Sequence, residues 1–467
     1  MKSIGVGAGT LSLSCASPDT ASPAKKPNII FILADDLGYG DLGCYGQTVI
    51  RTPNIDRLAA EGMRFTDHYA GSTVCAPSRC CLMTGLHTGH AYVRGNALVP
   101  LRPEDTTIAE ILKQAGYTTG LVGKWGLGEN DSSGIPNRKG FDYFFGYLSQ
   151  VHAHNYYPEF LWRNQEKVPL RNEVRRPETG YAREKGGAAT KRIDYSHDLC
   201  TAESMDFISR NSGTGEKPFF LYAAYTAPHA NNEAEGVLGV HGMEVPDYGE
   251  YADKDWPEPQ KGHAAMISRL DRDIGALMDK LQALGIDDNT LVIFSSDNGP
   301  HKEGGADPEF FGSGGPLKGI KRDLYEGGIR VPMIARWPGN IAPGTVSSHV
   351  SSFWDFLPTA AEIAGVQPPA GIDGISYAPE LLGESQTGHE FLYWEFHEGR
   401  ESKQAVRMGN WKYVRTRLSQ PGELYDLAVD IGETDNIAAD HPDIVRKIET
   451  YIETARTESE HWGLRPS

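Results

Sequence analysis

The chain has 467 residues, with 45 lysines and arginines against 62 aspartates and glutamates, a formal net charge of −17. That length suits one large domain or two unequal ones, and the acidic balance argues against nucleic acid as the partner while leaving room for a small anionic substrate in a local basic pocket. Six cysteines, without CxxC spacing, make neither a disulfide scaffold nor a structural zinc cage, and no apolar run is long enough to span a bilayer.

Residues 1–26 carry Lys2, a short weakly apolar stretch and a Ser/Ala/Pro-rich segment. They read either as an export leader, sending the protein to the periplasm or beyond, or as a disordered segment of no function. Cys15 in "LSLSC" is similar to the site where bacterial lipoproteins are processed and anchored. Folding signals start at Pro27. Residues 28–36, "NIIFILADD", form an apolar run ending in two aspartates, the pattern of a buried parallel strand. Residues 52–65 predict an amphipathic helix with Thr52 as N-cap and Pro53 in its first turn. Pro77 predicts the start of a helix, "SRCCLMTG", that ends near Gly85. Helices are also predicted over 106–117, 196–211, 263–285 and 353–365. Strands are predicted over 118–126, 218–229, 290–299 and 329–339. The alternation predicts an α/β fold: a large mixed, mostly parallel sheet sandwiched by helices. From about residue 385 the texture changes to short aromatic strands and a final helix, so a smaller C-terminal antiparallel sheet is expected. The boundaries read as 27–385 for the main domain and 386–467 for the C-terminal subdomain.

Asp35 and Asp36, His229, and Asp297 with Asn298 all fall at the C-terminal ends of predicted strands, the edge where open α/β sheets bind ligands. Oxygen donors without a histidine set suit Ca²⁺, or less well Mg²⁺, rather than zinc. Cys75 lies at or just before a helix N-terminus, which favours an anion, and Arg79 can face the same spot. By itself that reads as a reactive thiol of lowered pKa. A thiolate beside a hard cation is an odd pairing, however, and no cysteine-protease signature accompanies it.

"CAPSRCCLMTG" resembles the signature of the type I, formylglycine-dependent sulfatases of the alkaline phosphatase superfamily: Cys-x-Pro-Ser-Arg followed by Leu-x-Thr-Gly. The resemblance extends over nearly all the chain from Pro27, through "ADDLGYGDLGCYG", "GYTTGLVGKWGLG", "APH", "SDNGPH", "LKGIKRDLYEGGIRVP" and "DGISYAPELLG". It implies a sulfuric ester hydrolase acting on a sulfated carbohydrate, a large α/β domain with a small C-terminal sheet, and a maturation enzyme that oxidises Cys75 to Cα-formylglycine. It makes Asp35, Asp36, Asp297, Asn298 and the modified Cys75 the ligands of a calcium ion. Arg79 would hold the formylglycine hydrate, Lys124 and Lys321 the sulfate oxygens, and His229 both sulfate and the proton for the leaving alcohol. Lys321 is preferred to Lys318 by its spacing from Glu326.

One departure stands out. Many family members read Gly-Lys-Trp-His-Leu-Gly where this chain has "GKWGLG", so Gly126 replaces a histidine assigned to the diol proton. His154 is the first candidate for that base and His301 the second; each could equally be a surface or substrate-contacting residue. Trp394 and His397, with Tyr156 and Trp162, are candidates for a sugar subsite, although core packing explains aromatics in a small sheet equally well. Cys80 and Cys81 read as buried helix residues. Two alternatives stay open: a formylglycine-dependent phosphonate or phosphate ester hydrolase, and an inactive homologue that only binds sulfated glycan.

Overall fold

The structure, a computed structural model, describes residues 25–467 apart from 181, 214–216, 400, 466 and 467, together with positions 1, 3 and 5. The leader reading of 1–26, with Cys15, lies for the most part outside the described residues. No helix among the described residues is long and apolar enough to cross a membrane.

The strand Asn28–Asp35 is buried along its whole length. Its side chains alternate between two cores, as the two-residue period of a strand requires. Ile29, Phe31 and Leu33 meet Leu82, Ile108 and Leu357 on one face; Ile30, Ile32 and Ala34 meet Leu58, Phe207 and Ile274 on the other. Helices therefore cover both faces, which is why the strand needs no polar side.

The sheet has ten strands. In spatial order they are Thr345–Ser347, Met63–Phe65, Met333–Arg336, Thr290–Ser296, Asn28–Asp35, Phe219–Pro228, Thr118–Lys124, Tyr143–Tyr147, Phe160–Arg163 and Glu166–Pro169. The run from Thr290–Ser296 to Tyr143–Tyr147 is parallel; antiparallel pairings follow on each side, and the edge strand Thr345–Ser347 pairs parallel with Met63–Phe65. Because the parallel strands are in step, Ala34 lies opposite Ser296, Asp35 opposite Pro228, and Lys124 opposite Tyr147. The polar residues that follow each strand thus emerge along one edge.

The predicted helix over 52–65 ends early, at Ala60, with Pro53 in its first turn as expected. Met63–Phe65 instead pairs antiparallel with Met333–Arg336. At Gly62 an added Cβ would stand 2.3 Å from the Ala335 carbonyl oxygen, so the sheet approaches too closely for the helix to continue. The helix expected from Pro77 begins at Cys75 and closes on Gly85, whose φ of 72° is the left-handed turn that ends helices. The long helix runs Glu258–Ala283, starting before the predicted 263 because Pro257 and Pro259 suit its first turn.

The C-terminal strands Leu392–Glu398, Glu401–Met408, Trp411–Arg415 and Glu423–Asp426 form an antiparallel meander, followed by the helix Pro442–Ile452. Both faces of this sheet are buried. Trp394, Phe396, Ala405 and Val414 join the main core, while Tyr393, Val406 and Tyr413 pack on Ile448 and Ile452. A charged clamp reinforces the junction. Lys412, fully buried, donates to Glu326 at 2.7 Å and to Glu433 at 3.3 Å. Burial raises the Glu326 carboxyl, but Lys412 and Arg330 outweigh it and hold the group at about 2. Lys412→Met leaves Glu433 without its cation and Glu326 with Arg330 alone, and should cost about 3–5 kcal/mol of stability; urea unfolding that matches the parent would refute this account of the junction.

Candidate active site

The site is assembled where the parallel strands end. Asp35 is the last residue of its strand, and Asp36 turns into the left-handed region at φ 64°. In an extended chain consecutive side chains point to opposite faces; the turn brings both carboxylates to one place. The Asp36 N–H donates to Asp297 Oδ1 at 3.1 Å. Asn298 donates from Nδ2 to Asp36 Oδ1 at 2.7 Å and to the Gly299 carbonyl at 2.9 Å, which leaves its Oδ1 turned away from these bonds.

Three cations meet these groups. Lys124 Nζ lies 2.6 Å from Asp35 Oδ2, and Lys321 Nζ lies 2.8 Å from Asp36 Oδ2. Arg79 grips Asp297 Oδ2 from Nε at 3.0 Å and Nη2 at 2.8 Å, and its Nη1 donates to the Lys124 carbonyl at 2.7 Å. Arg79 sits on the helix Cys75–Thr84, so the same bonds that anchor the helix to the strand ends also aim Cys75. Sγ of Cys75 lies with ligand atoms of Asp35, Asp36 and His229, all within 4.8 Å of one another.

Burial pushes the Cys75 thiol up to about 12, and the nearby lysines do not reverse it. The reading of Cys75 as a reactive thiolate is therefore corrected: desolvation outweighs the helix terminus. His229 is lowered to about 3, first by burial and then by the charge of Lys321. Its Nδ1 donates to the Ala230 carbonyl at 2.6 Å, so Nε2 is the nitrogen facing Lys321, 3.2 Å away. Tyr156 donates its hydroxyl to the carbonyls of Thr226 and His229, which fixes the loop carrying the imidazole. It is fully buried and forms no sugar subsite.

The donors fit a hard cation. Asp35 Oδ1 and Asn298 Oδ1 are buried acceptors with no hydrogen-bond partner, and such atoms are costly unless something meets them. Asp297 is pushed up to about 7, first by burial and then by the charge of Asp35 beside it. Oxygen donors of this kind suit Ca²⁺ or Mg²⁺.

Above these groups a pocket of about 270 Å³ opens, with Cys75, His229 and Lys321 on its walls. His154 lines it too, its ring stacked on His229 at 4.9 Å and its Nδ1 3.1 Å from Glu233. His301 does not reach the pocket wall. Its Nδ1 accepts the Glu303 N–H at 3.1 Å and its Nε2 faces the Pro228 carbonyl at 3.2 Å, so both nitrogens are engaged by backbone. Lys318 lies elsewhere, bonded to the Glu433 carbonyl at 2.9 Å and packed over Tyr325, whereas Lys321 stands on the pocket wall. Gly126 takes a φ of 80°, and a Cβ there would stand 2.9 Å from Cγ of Gln150. Gln150 itself lines the pocket, and it crowds the space a side chain at 126 would enter.

The sequence missed several groups here. Asn96 lines the pocket and accepts the Ala76 N–H at 3.1 Å, in the first turn of the cysteine helix. Glu303 bridges Lys321 at 2.9 Å and Arg322 at 2.5 Å, and Arg322 Nε reaches Glu398 at 3.0 Å. Arg322 lies inside the quoted segment "LKGIKRDLYEGGIRVP" beside Lys321 but was given no role there, and Asn96 and Glu303 lie outside the quoted segments. Two expectations are overturned. Trp394 is fully buried, donates to the Ala70 carbonyl at 3.0 Å and packs on Tyr69 and Trp354. His397 is buried between Ser402 at 2.8 Å and Glu395 at 3.0 Å. Neither lines the pocket, because this strand is covered on both faces. Trp162 is half-buried on a separate cavity.

An α/β fold with oxygen donors, lysines and a histidine at the strand ends defines a hydrolase of anionic esters. A family model described as Sulfatase matches residues 27–366, and one described as N-sulphoglucosamine sulphohydrolase, C-terminal, matches 320–458. The chain is 32% identical over 442 residues to the N-acetylgalactosamine-6-sulfatase of Canis lupus familiaris, covering 92% of this chain and 79% of that protein. It is 32% identical over 511 residues to the N-acetylgalactosamine-6-O-sulfatase of Bacteroides thetaiotaomicron, covering 94% and 95%. The crystal structure of Ps i-CgsB in complex with k-i-k-neocarrahexaose superposes with a TM-score of 0.79 at 28% identity, covering 95% of each chain. The chain belongs to the type I sulfatase family and is a sulfuric ester hydrolase.

Since Trp394 is core, Trp394→Ala should lower stability by about 3–5 kcal/mol in chemical denaturation. Trp394→Phe, which keeps most of the volume, should retain the parent KM; a raised KM with unchanged stability would restore the sugar-subsite reading.

Proposed function

We propose that the enzyme releases sulfate from a terminal sulfated sugar, with 6-sulfated N-acetylgalactosamine as the first unit to test. The observation that carries this reading is the convergence of Cys75, Lys321, His229 and His154 on one pocket of about 270 Å³, above the cluster of Asp35, Asp36, Asp297 and Asn298. The printed activities of the canine and bacterial relatives support the choice of sugar.

In this reading Asp35, Asp36, Asp297, Asn298 and the modified Cys75 hold a calcium ion, which when bound polarises the nucleophile and draws charge from the sulfate. Oxidised to formylglycine by a maturation enzyme and hydrated, Cys75 supplies two hydroxyls on one carbon, one to attack sulfur and one to expel sulfate afterwards. Lys124 and Lys321 bind the sulfate oxygens and spread their charge as the bond to the sugar lengthens. Arg79 keeps the helix that carries residue 75 tied to Asp297. His229, with Nδ1 fixed by the Ala230 carbonyl, turns a bare Nε2 to the pocket; it takes up a proton there when the sulfate anion binds beside it and hands that proton to the leaving sugar oxygen. His154 is the base that stands in for the histidine absent at Gly126. Glu233 beside Nδ1 orients its ring and leaves Nε2 to accept a proton.

Residues 386–467 act as a subdomain that folds with the main domain across a shared core. The leader, with its lysine and apolar stretch, supports export to the periplasm or beyond, with Cys15 as a point of lipid attachment.

The test is sulfate release from N-acetylgalactosamine 6-sulfate, after intact mass has shown the thiol-to-aldehyde change at Cys75. Cys75→Ala and Cys75→Ser should both lose turnover while keeping the parent circular dichroism; retained turnover in the alanine variant would end the formylglycine reading. His154→Ala should lower kcat by about 10²-fold or more, the scale of a lost general base, with little change in KM. An unchanged kcat would remove His154 from that role.

A further inference from the structure

The sulfate pocket continues into a groove. Val151 lines both that pocket and a second cavity of about 250 Å³. Glu184 and Lys185 line the second cavity and also a third, of about 430 Å³. The third lies at the antiparallel margin of the main sheet, where Phe160–Arg163 pairs with Glu166–Pro169.

The far end of this groove has its own chemistry. Phe160 and Trp162 stand edge to face at 5.7 Å, both partly open to the cavity. Lys167 Nζ lies 4.2 Å from the Phe160 ring centroid and 5.4 Å from that of Trp162. It has no carboxylate partner among the described residues, and neither has Arg183 on the wall of the second cavity. Arg176 and Lys185 add positive charge, each paired with one carboxylate, Glu159 and Glu129; Glu184 also lines the cavity. Four cations thus face three carboxylates, in a chain whose overall balance is −17. The aromatic faces suit the apolar face of a pyranose, and the two unpaired cations suit an anionic substituent on it.

We propose that this end of the groove is a distal subsite for a further, anionic sugar of the substrate, its ring against Phe160 and Trp162 and its sulfate or carboxylate met by Lys167, with Arg183 on the wall of the adjoining cavity. The proposal rests on the reading of the pocket at Cys75 as the site of the terminal sulfated sugar. Binding at both ends makes an oligosaccharide a better substrate than the monosaccharide, because the second ring adds contacts without a second loss of translational freedom.

The test uses the full chain carrying Cys75→Ala, so that ligands bind without turnover, and calorimetry with two probes. These are N-acetylgalactosamine 6-sulfate and a chondroitin 6-sulfate tetrasaccharide with the sulfated galactosamine at its non-reducing end. The tetrasaccharide should bind more tightly, and Lys167→Glu should weaken it by about tenfold, the equivalent of 1.4 kcal/mol, leaving the monosaccharide unchanged. Trp162→Ala should do the same, while Lys167 lies exposed, so its substitution leaves the fold intact. A carboxyl-reduced tetrasaccharide separates the anions: undiminished affinity assigns the subsite to sulfate, lost affinity to carboxylate. Equal binding of the two probes, no tetrasaccharide binding, or a Lys167→Glu variant that matches its parent overturns the subsite. Failure of the sulfatase reading shows differently: mature protein releases no sulfate from either saccharide, while Lys167→Glu still weakens the tetrasaccharide.

Discussion

Mutual neutralisation of buried charge is the condition on which this site stands. Asp35, Asp36, Asp297, Arg79, Lys124 and Lys321 are all buried, and any one of them alone would be costly to keep ionised. Together they hold one another charged, and in doing so they fix the geometry. Arg79 ties a helix to two strand ends, Lys124 reaches Asp35 two strands away in the sheet, and Lys321 is pinned from a loop. The oxygens of Asp35 and Asn298 that stay without a hydrogen-bond partner are the acceptors a divalent cation would meet.

The small sheet at the C-terminus belongs to the same system. Glu326 follows Lys321 by five positions and receives Lys412, Arg330 and the Tyr69 hydroxyl. The segment that delivers Lys321 to the candidate pocket is therefore anchored by a strand more than eighty residues downstream. Glu398, at the end of another of these strands, lines the pocket through Arg322. The main domain supplies the chemistry, and the C-terminal sheet holds one wall of it still.

Much of this was legible in the sequence, for identifiable reasons. A buried parallel strand must be apolar from end to end, so the polar residues closing each run, Asp35, His229 and Asp297, announced the functional edge. Cys75 and Arg79 followed from a motif, and spacing from Glu326 separated Lys321 from Lys318. The failures have physical causes as well. Met63–Phe65 has the amphipathic pattern of a helix, and only its pairing with Met333–Arg336 makes it a strand. Trp394 and His397 were misplaced because aromatic and polar residues on a short strand look half-exposed, and nothing local tells that a helix covers its second face. Glu303, Asn96 and Gln150 act through contacts between distant loops, which carry no period and no fixed spacing, and Arg322, although it follows Lys321 in a quoted segment, shows its part only through Glu303 and Glu398.

The shared core has a consequence in time. Cys75 is buried, and the core above its helix is completed by Trp394 and Phe396. A ribosome delivers those two residues more than three hundred positions after the cysteine. Parallel sheets and contacts of such long separation form late. The maturation enzyme proposed for Cys75 would therefore have a working interval, open as the cysteine leaves the ribosome and closed when the last strands dock.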